Sequence, residues 1–158
     1  MWLDERTEFA DNASVAAGAS TALIGDVIDM EVARDLGNGQ PVYLCIRTGS
    51  TEIITGGSAG TIQFKFCSDA QAAIATDGSA TEHVITDTFV TDDSAANAAQ
   101  MNAGGTIYFG ALPLESFAYE QFLGVLCTVA TTTVTAGTIN AFLTIDPNGW
   151  KSYADGAN

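Results

Sequence analysis

The octapeptide Thr61 to Ser68, TIQFKFCS, alternates strictly: Ile62, Phe64 and Phe66 take one parity, Gln63, Lys65 and Cys67 the other. A helix cannot gather that pattern onto one side, whereas a strand puts successive side chains on opposite faces. Gly105 to Leu112 alternates again, with Ile107, Phe109 and Ala111 together. Pro41 to Thr48, PVYLCIRT, is nearly continuous apolar sequence, as expected of a strand covered on both faces. Further β-rich runs lie at Thr21 to Val32, Thr81 to Thr91, Gln121 to Thr131 and Gly137 to Asp146. The first of these is expected to break near Gly25-Asp26. Turn-forming sequence separates the runs: Arg34 to Pro41 with two glycines, an Asn and a Pro; the Gly/Ser-rich stretch 49–60; and Asp77-Gly78. Residues 69–80 leave room for a short helical turn. Residues 92–103 are the one helix-like piece, with Asp93 or Ser94 as cap and Gly104-Gly105 as terminator. Seven to eight short strands and one short helix indicate an all-β, antiparallel sandwich or barrel.

The ends read differently. Residues 1–20 hold no sustained periodicity and carry two large apolar anchors, Trp2 and Phe9. They are expected to form an extended N-terminal arm, reaching at most ~65 Å. The sandwich then spans 21–147 and a short tail 148–158. The expected core includes Ile62, Phe64, Phe66, Ile107, Phe109, Leu126 and Leu143.

Charge narrows the function. The chain has 158 residues with 19 acids against 5 bases, a net charge of −14. Such a surface repels phosphate, so neither nucleic acid nor an anionic membrane is an expected partner. The start, MWLDER, lacks the form of a secretory signal, and the longest apolar runs are far too short for a membrane helix. Synthesis in a cytosol is expected. Cys45, Cys67 and Cys127 each fall inside a strand-like run and read as buried free thiols.

No catalytic set, metal site or cofactor is expected. His83 is the only histidine and reads as a strand-edge residue. The acidic loops Asp77-Gly78 and Asp92-Asp93 do not match the spacing of a calcium loop. The glycines Gly37 and Gly39 lead into a strand rather than a helix, so they make a tight turn and no phosphate cradle. The bases Arg34, Arg47 and Lys65 are either paired within the chain or available to an acidic partner.

One run carries a resemblance. RDLGNGQPVYLCI, Arg34 to Ile46, resembles the turn-plus-strand signature of the jelly-roll capsid cement (decoration) proteins of tailed, mostly short-tailed, bacteriophages. Ala111-Leu112-Pro113 followed by Tyr119 to Val129 resembles a second element of that family. Val134 to Ile139, continuing through Leu143 to Asp146, resembles its closing strand, and Phe66-Cys67-Ser68-Asp69 its strand end. The likeness covers roughly residues 20–147 and departs at 69–103, which is longer and richer in alanine.

The resemblance implies a jelly-roll sandwich and a structural role on the outer surface of an icosahedral virion. Such a protein bridges neighbouring major capsid subunits as a homo-oligomer, dimer or trimer, and has no enzymatic activity. The expected inter-subunit or capsid contacts are Trp2 and Phe9 on the arm and Arg34, Asp35, Gly37, Gly39 and Gln40 on the turn. The alternative is a carbohydrate-binding sandwich on the virion surface, using Tyr108, Phe117, Tyr119 and Trp150.

Overall fold

A computed structural model describes residues 5–36, 39–56, 59–92, 98–114 and 118–146. Eleven strands are formed among them: β1 (Glu8–Ser14), β2 (Thr21–Asp29), β3 (Tyr43–Thr48), β4 (Ile54–Thr55), β5 (Gly60–Asp69), β6 (Thr81–Ile85), β7 (Phe89–Thr91), β8 (Thr106–Ala111), β9 (Phe122–Ala130), β10 (Val134–Ala136) and β11 (Thr138–Thr144). One sheet has the order β1-β11-β3-β8. The other has the order β2-β9-β5-β6, with β7 continuing the β6 side of β5. The pair β4-β10 forms a separate ribbon.

Counting β6 and β7 as one interrupted strand leaves eight sandwich strands. Numbered along the chain, their orders are 1-8-3-6 and 2-7-4-5. That is the double Greek-key jelly roll, so the all-β jelly-roll expectation holds. The strand count is higher than the seven to eight expected because β6 and β7 split one run and β4-β10 adds a ribbon.

The N-terminal expectation needs correction. Residues 8–14 are no free arm but the edge strand β1, hydrogen-bonded to β11. Phe9 is 0% exposed, and its ring meets that of Phe66 edge-on at 5.8 Å. The pairing slips twice: between Glu8↔Phe142 and Ala10↔Ala141, and between Ala10↔Ala141 and Ala13↔Ile139. Each slip inserts an extra β1 residue, so Phe9 and Ala10 are both buried and the period of two disappears. Asn12 lies at the second bulge with φ 51°. Its Oδ1 accepts hydrogen bonds from Ser50 N at 2.9 Å and Thr138 Oγ1 at 2.6 Å, tying β1 to the sheet.

The expected break in β2 is a bulge. Ile24 pairs with Val125 and Ile28 with Leu123, leaving surplus residues on β2 between them. Gly25 sits there at φ 68°, and a Cβ at this position would lie 1.9 Å from the carbonyl oxygen of Phe9. Both the left-handed backbone and the close approach of β1 require glycine. Gly25→Ala is therefore expected to cost at least ~2 kcal/mol in chemical denaturation, with the midpoint falling at unchanged slope. A midpoint equal to wild type would show that β1 does not close against β2 here.

The inner faces of the two sheets make the main core: Phe9, Leu44, Ile46, Ile107, Ile139, Ala141 and Leu143 from one, and Ile24, Ile62, Phe64, Phe66, Leu123, Val125 and Val129 from the other. Phe109 is a second correction. It is 44% exposed. Ile46 pairs with Tyr108 but Arg47 with Thr106, so Ile107 is the extra residue of a bulge. Ile107 and Tyr108 both turn toward the core, and the following parity is reversed. Phe109 then points outward and stacks on Tyr43, with centroids 5.9 Å apart and an interplanar angle of 15°.

Residues 70–80 form no helical turn. They make a strap across the outer face of the second sheet, where Ile74 and Ala80 cluster with Cys67 and Leu126. Asp69 holds the strap by accepting the Ala75 amide at 2.9 Å, and Asp77 Oδ1 accepts the Ser79 amide at 3.0 Å. Residues 93–97, where the helix was expected to begin, lie outside the described residues. The described remainder holds one 3-10 turn, Ala99–Met101, with Met101 buried. The three cysteines are free and buried. Burial pushes the Cys45 thiol up to about 11, partly offset by Arg47, and the Cys67 and Cys127 thiols up to about 12. Reactive thiolate is scarce there at neutral pH.

Candidate interaction surface

β2 ends at Asp29, whose Oδ1 accepts the Glu31 amide at 2.7 Å and the Gln121 side-chain amide at 2.9 Å. Glu31 takes φ 67° and turns the chain. Arg34 then pairs with Tyr119 through two main-chain hydrogen bonds, each 3.0 Å. Leu36 and Val42 pack against the core from the two sides of the turn. The turn is thus pinned at its base while Val32, Arg34, Asp35, Gly39 and Gln40 face solvent. Gly39 has φ 96°, in keeping with the tight turn expected from its sequence.

The three cations singled out from the sequence fare differently. Lys65 pairs with Glu82 at 2.6 Å on the outer face of the second sheet. Arg47 is half-buried on β3, where burial lowers its pKa and Nη2 donates to the Gly104 carbonyl. Arg34 is exposed. Its Nη2 donates to the Met30 carbonyl at 2.7 Å, and it forms no ion pair among the described residues. A guanidinium held by a single backbone carbonyl keeps most of its donors available.

Tyr119 anchors the partner side of the turn. It is 1% exposed, and its hydroxyl donates to the Pro113 carbonyl at 2.6 Å. Its ring lies 4.1 Å from that of His83. His83 Nε2 and Ser68 Oγ are hydrogen-bonded at 2.7 Å, and the Glu120 amide donates to the same Oγ at 3.2 Å. Ser68 is 0% exposed, so this serine-histidine pair fastens residues 119–120 to β5 and β6. A run from half-buried His83 through Tyr119 to exposed Arg34 was not visible in the sequence, because its members are remote along the chain.

An open groove of about 460 Å³ adjoins the start of the turn, lined by Arg6, Glu8, Asp26, Val27, Ile28, Asp29 and Glu31. Among the described residues, no three of His, Cys, Asp or Glu are placed to hold a metal ion.

Of the expected contact residues, Arg34, Asp35, Gly39 and Gln40 lie together on one exposed turn. Phe9 does not join them: it belongs to the chain's own core, because the β1 bulge turns it inward. Trp2 and Gly37 lie outside the described residues. Of the aromatics considered for glycans, Tyr119 is buried and Tyr108 packs against the core, while Phe117 and Trp150 lie outside the described residues.

Comparison with protein families matches the chain to Bbp16 over residues 9–143. No curated protein matches it. The matched span opens on Phe9 in β1 and closes on Leu143 in β11, so it takes in every strand of the jelly roll except Glu8 and Thr144 at its two ends. The chain belongs to the Bbp16 family, which is phage-linked.

Proposed function

We propose that this chain is a capsid cement protein. It binds the outer surface of an icosahedral phage shell as a homo-oligomer, bridges neighbouring major capsid subunits and stabilises them. It acts by binding alone, without catalysis, and is made in the host bacterial cytoplasm. The observation that carries this reading is a jelly roll matched from its first strand to its last to a phage-linked family, in a chain of net charge −14. A phage structural protein so acidic is repelled by packaged DNA, which favours the outside of the shell over the inside.

The turn at Arg34 to Gln40 supplies the shell contact in this reading. Its base is already anchored at Arg34 by the main-chain bonds to Tyr119, so that end need not be ordered on binding. Arg34 supplies a cation with donors to spare on an otherwise acidic molecule. Arg34→Glu is expected to weaken binding to cement-free shells at least ~10-fold in co-sedimentation. The thermal midpoint should stay within a few degrees, since surface changes rarely exceed ~0.5 kcal/mol. Wild-type protein that fails to sediment with shells would defeat the proposal. A fully active Arg34→Glu variant would move the contact away from this turn.

A further inference from the structure

Apart from the main core, the described residues hold a second apolar cluster on the outer face of the second sheet: Cys67, Ile74, Ala80 and Leu126. Cys67 and Leu126 come from β5 and β9, whereas Ile74 and Ala80 come from the strap, residues 70–80. Cys67 pairs with Gly124 across the β5-β9 ladder. Ile74 fills the space that Gly124 leaves, since a Cβ there would lie 2.9 Å from Ile74 Cγ1. Beneath this cover Cys67 is 0% exposed.

Little else holds the strap. Ile74 and Ala80 are its only buried residues, and Ala75 alone is half-buried. Among the described residues, no hydrogen bond between main-chain groups joins it to the sheet. Its polar attachment is the Asp69 carboxylate, whose Oδ1 accepts the Gln71 amide at 3.1 Å and whose Oδ2 accepts the Ala75 amide at 2.9 Å. The sheet is complete without it, because β5 bonds to β9 on one side and to β6 on the other. Its two ends meet at the pair Ser68↔Thr81, so the strap is a loop closed at its base. A segment with few buried contacts and no ladder bonds opens at a lower free energy than the fold as a whole.

We propose that the strap is a hinged cover that swings off the second sheet as a unit while the jelly roll stays folded. Ser68-Thr81 is the hinge, Ile74 the plug and Asp69 the catch. Opening uncovers Cys67 and the notch at Gly124, and closure returns both to the dry cluster. Burial, with Glu82 and Asp69 adding to it and Lys65 opposing, pushes the closed thiol up to about 12. The rate at which Cys67 reacts therefore reads the open fraction. Cys127 supplies the contrast: it lies opposite Phe64 in the main core, where only unfolding of the sandwich exposes it.

The test uses the purified full chain and iodoacetamide, in a urea series kept below the unfolding transition. The Cys67 thiolate takes the methylene carbon of the reagent, iodide leaves, and the thiol proton goes to buffer. Peptide mass analysis then gives the rate at each cysteine. Without urea, Cys67 is expected to label at least ~10-fold faster than Cys127. Its rate should depend little on urea, because strap opening exposes little surface, whereas Cys127 should follow the steep slope of global unfolding. Ile74→Ala is expected to raise the Cys67 rate a further ~10-fold or more at the same shallow slope. If that variant does not fold, Asp69→Ala, which removes both catch bonds, decides on the same criterion. Cys67 labelling with the steep slope of Cys127 overturns the proposal, since the strap then moves only when the domain unfolds. A shallow Cys67 rate that the substitution leaves unchanged also overturns it, because the thiol is then reached by fraying of β6.

Discussion

Deleting residues 1–15 is expected to unfold the protein rather than release a dispensable arm. The deletion removes all of β1, and with it Phe9, Ala10 and Val15 from the core. It also uncovers the edge of β11 along Glu8 to Ser14. Truncating a buried Phe to Ala alone typically costs ~3–5 kcal/mol. Whole-domain stability is usually only ~5–15 kcal/mol. Phe9 accounts for a large share of that margin before the lost ladder hydrogen bonds are counted. The deleted chain should therefore show no cooperative thermal transition. The single substitution Phe9→Ala should retain one, at a midpoint lowered by ~6–20 °C. A folded deletion variant with the wild-type midpoint would mean that β1 docks without stabilising the sandwich.

Phe66→Ala is expected to have the largest effect of any single substitution. Phe66 is 0% exposed on β5, the strand that pairs with β9, β6 and β7. Its ring contacts Phe9 at 5.8 Å, His83 at 5.9 Å and Tyr119 at 6.2 Å. The substitution leaves a cavity between the N-terminal strand and the segment that pins the Arg34 turn. The expected cost is ~3–5 kcal/mol in denaturant unfolding, with part of the aromatic pairing energy added. Because Tyr119 loses one wall of its site, the turn should loosen as well. Hydrogen exchange at Arg34 and Tyr119 should then rise more than the global loss of stability explains. A cost below ~1 kcal/mol would contradict the packing assigned to this ring.

The elements that follow simple periods were legible from sequence. In β5 the run Ile62-Phe64-Phe66 lies on the inner face, as the alternation of TIQFKFCS requires. The break at Gly25-Asp26 is the β2 bulge, and β3 is covered on both faces, with Leu44, Cys45 and Ile46 all buried. What the sequence hid traces to extra residues and to remote partners. Two bulges in β1 erase its period and made Phe9 look like a loose anchor. One bulge at Ile107 reverses the parity of β8 and sends Phe109 outward. The second cluster depends on Ile74, whose partners Cys67 and Leu126 meet it only because the 70–80 strap folds back over the sheet.

The turn proposed as the contact surface was partly legible for the same reason. The turn from Arg34 to Gln40 announces itself through glycines and a proline, which act locally. The anchoring of its base does not, because the bridge from Arg34 to Tyr119 joins residues far apart in sequence. That β8 ends its sheet among the described residues needs the strand order as well, since a charge-free strand is ordinary in a sheet interior and notable only at its margin.

In its proposed role this jelly roll sits on the outside of a phage shell and ties its subunits together. Cryo-electron microscopy of one shell preparation, with and without added protein, tests it most directly. The expected difference density lies on the outer surface, spans the junction between neighbouring capsid subunits, and places the Arg34 turn toward the shell. Density on the inner surface, or none at saturating protein, would contradict it.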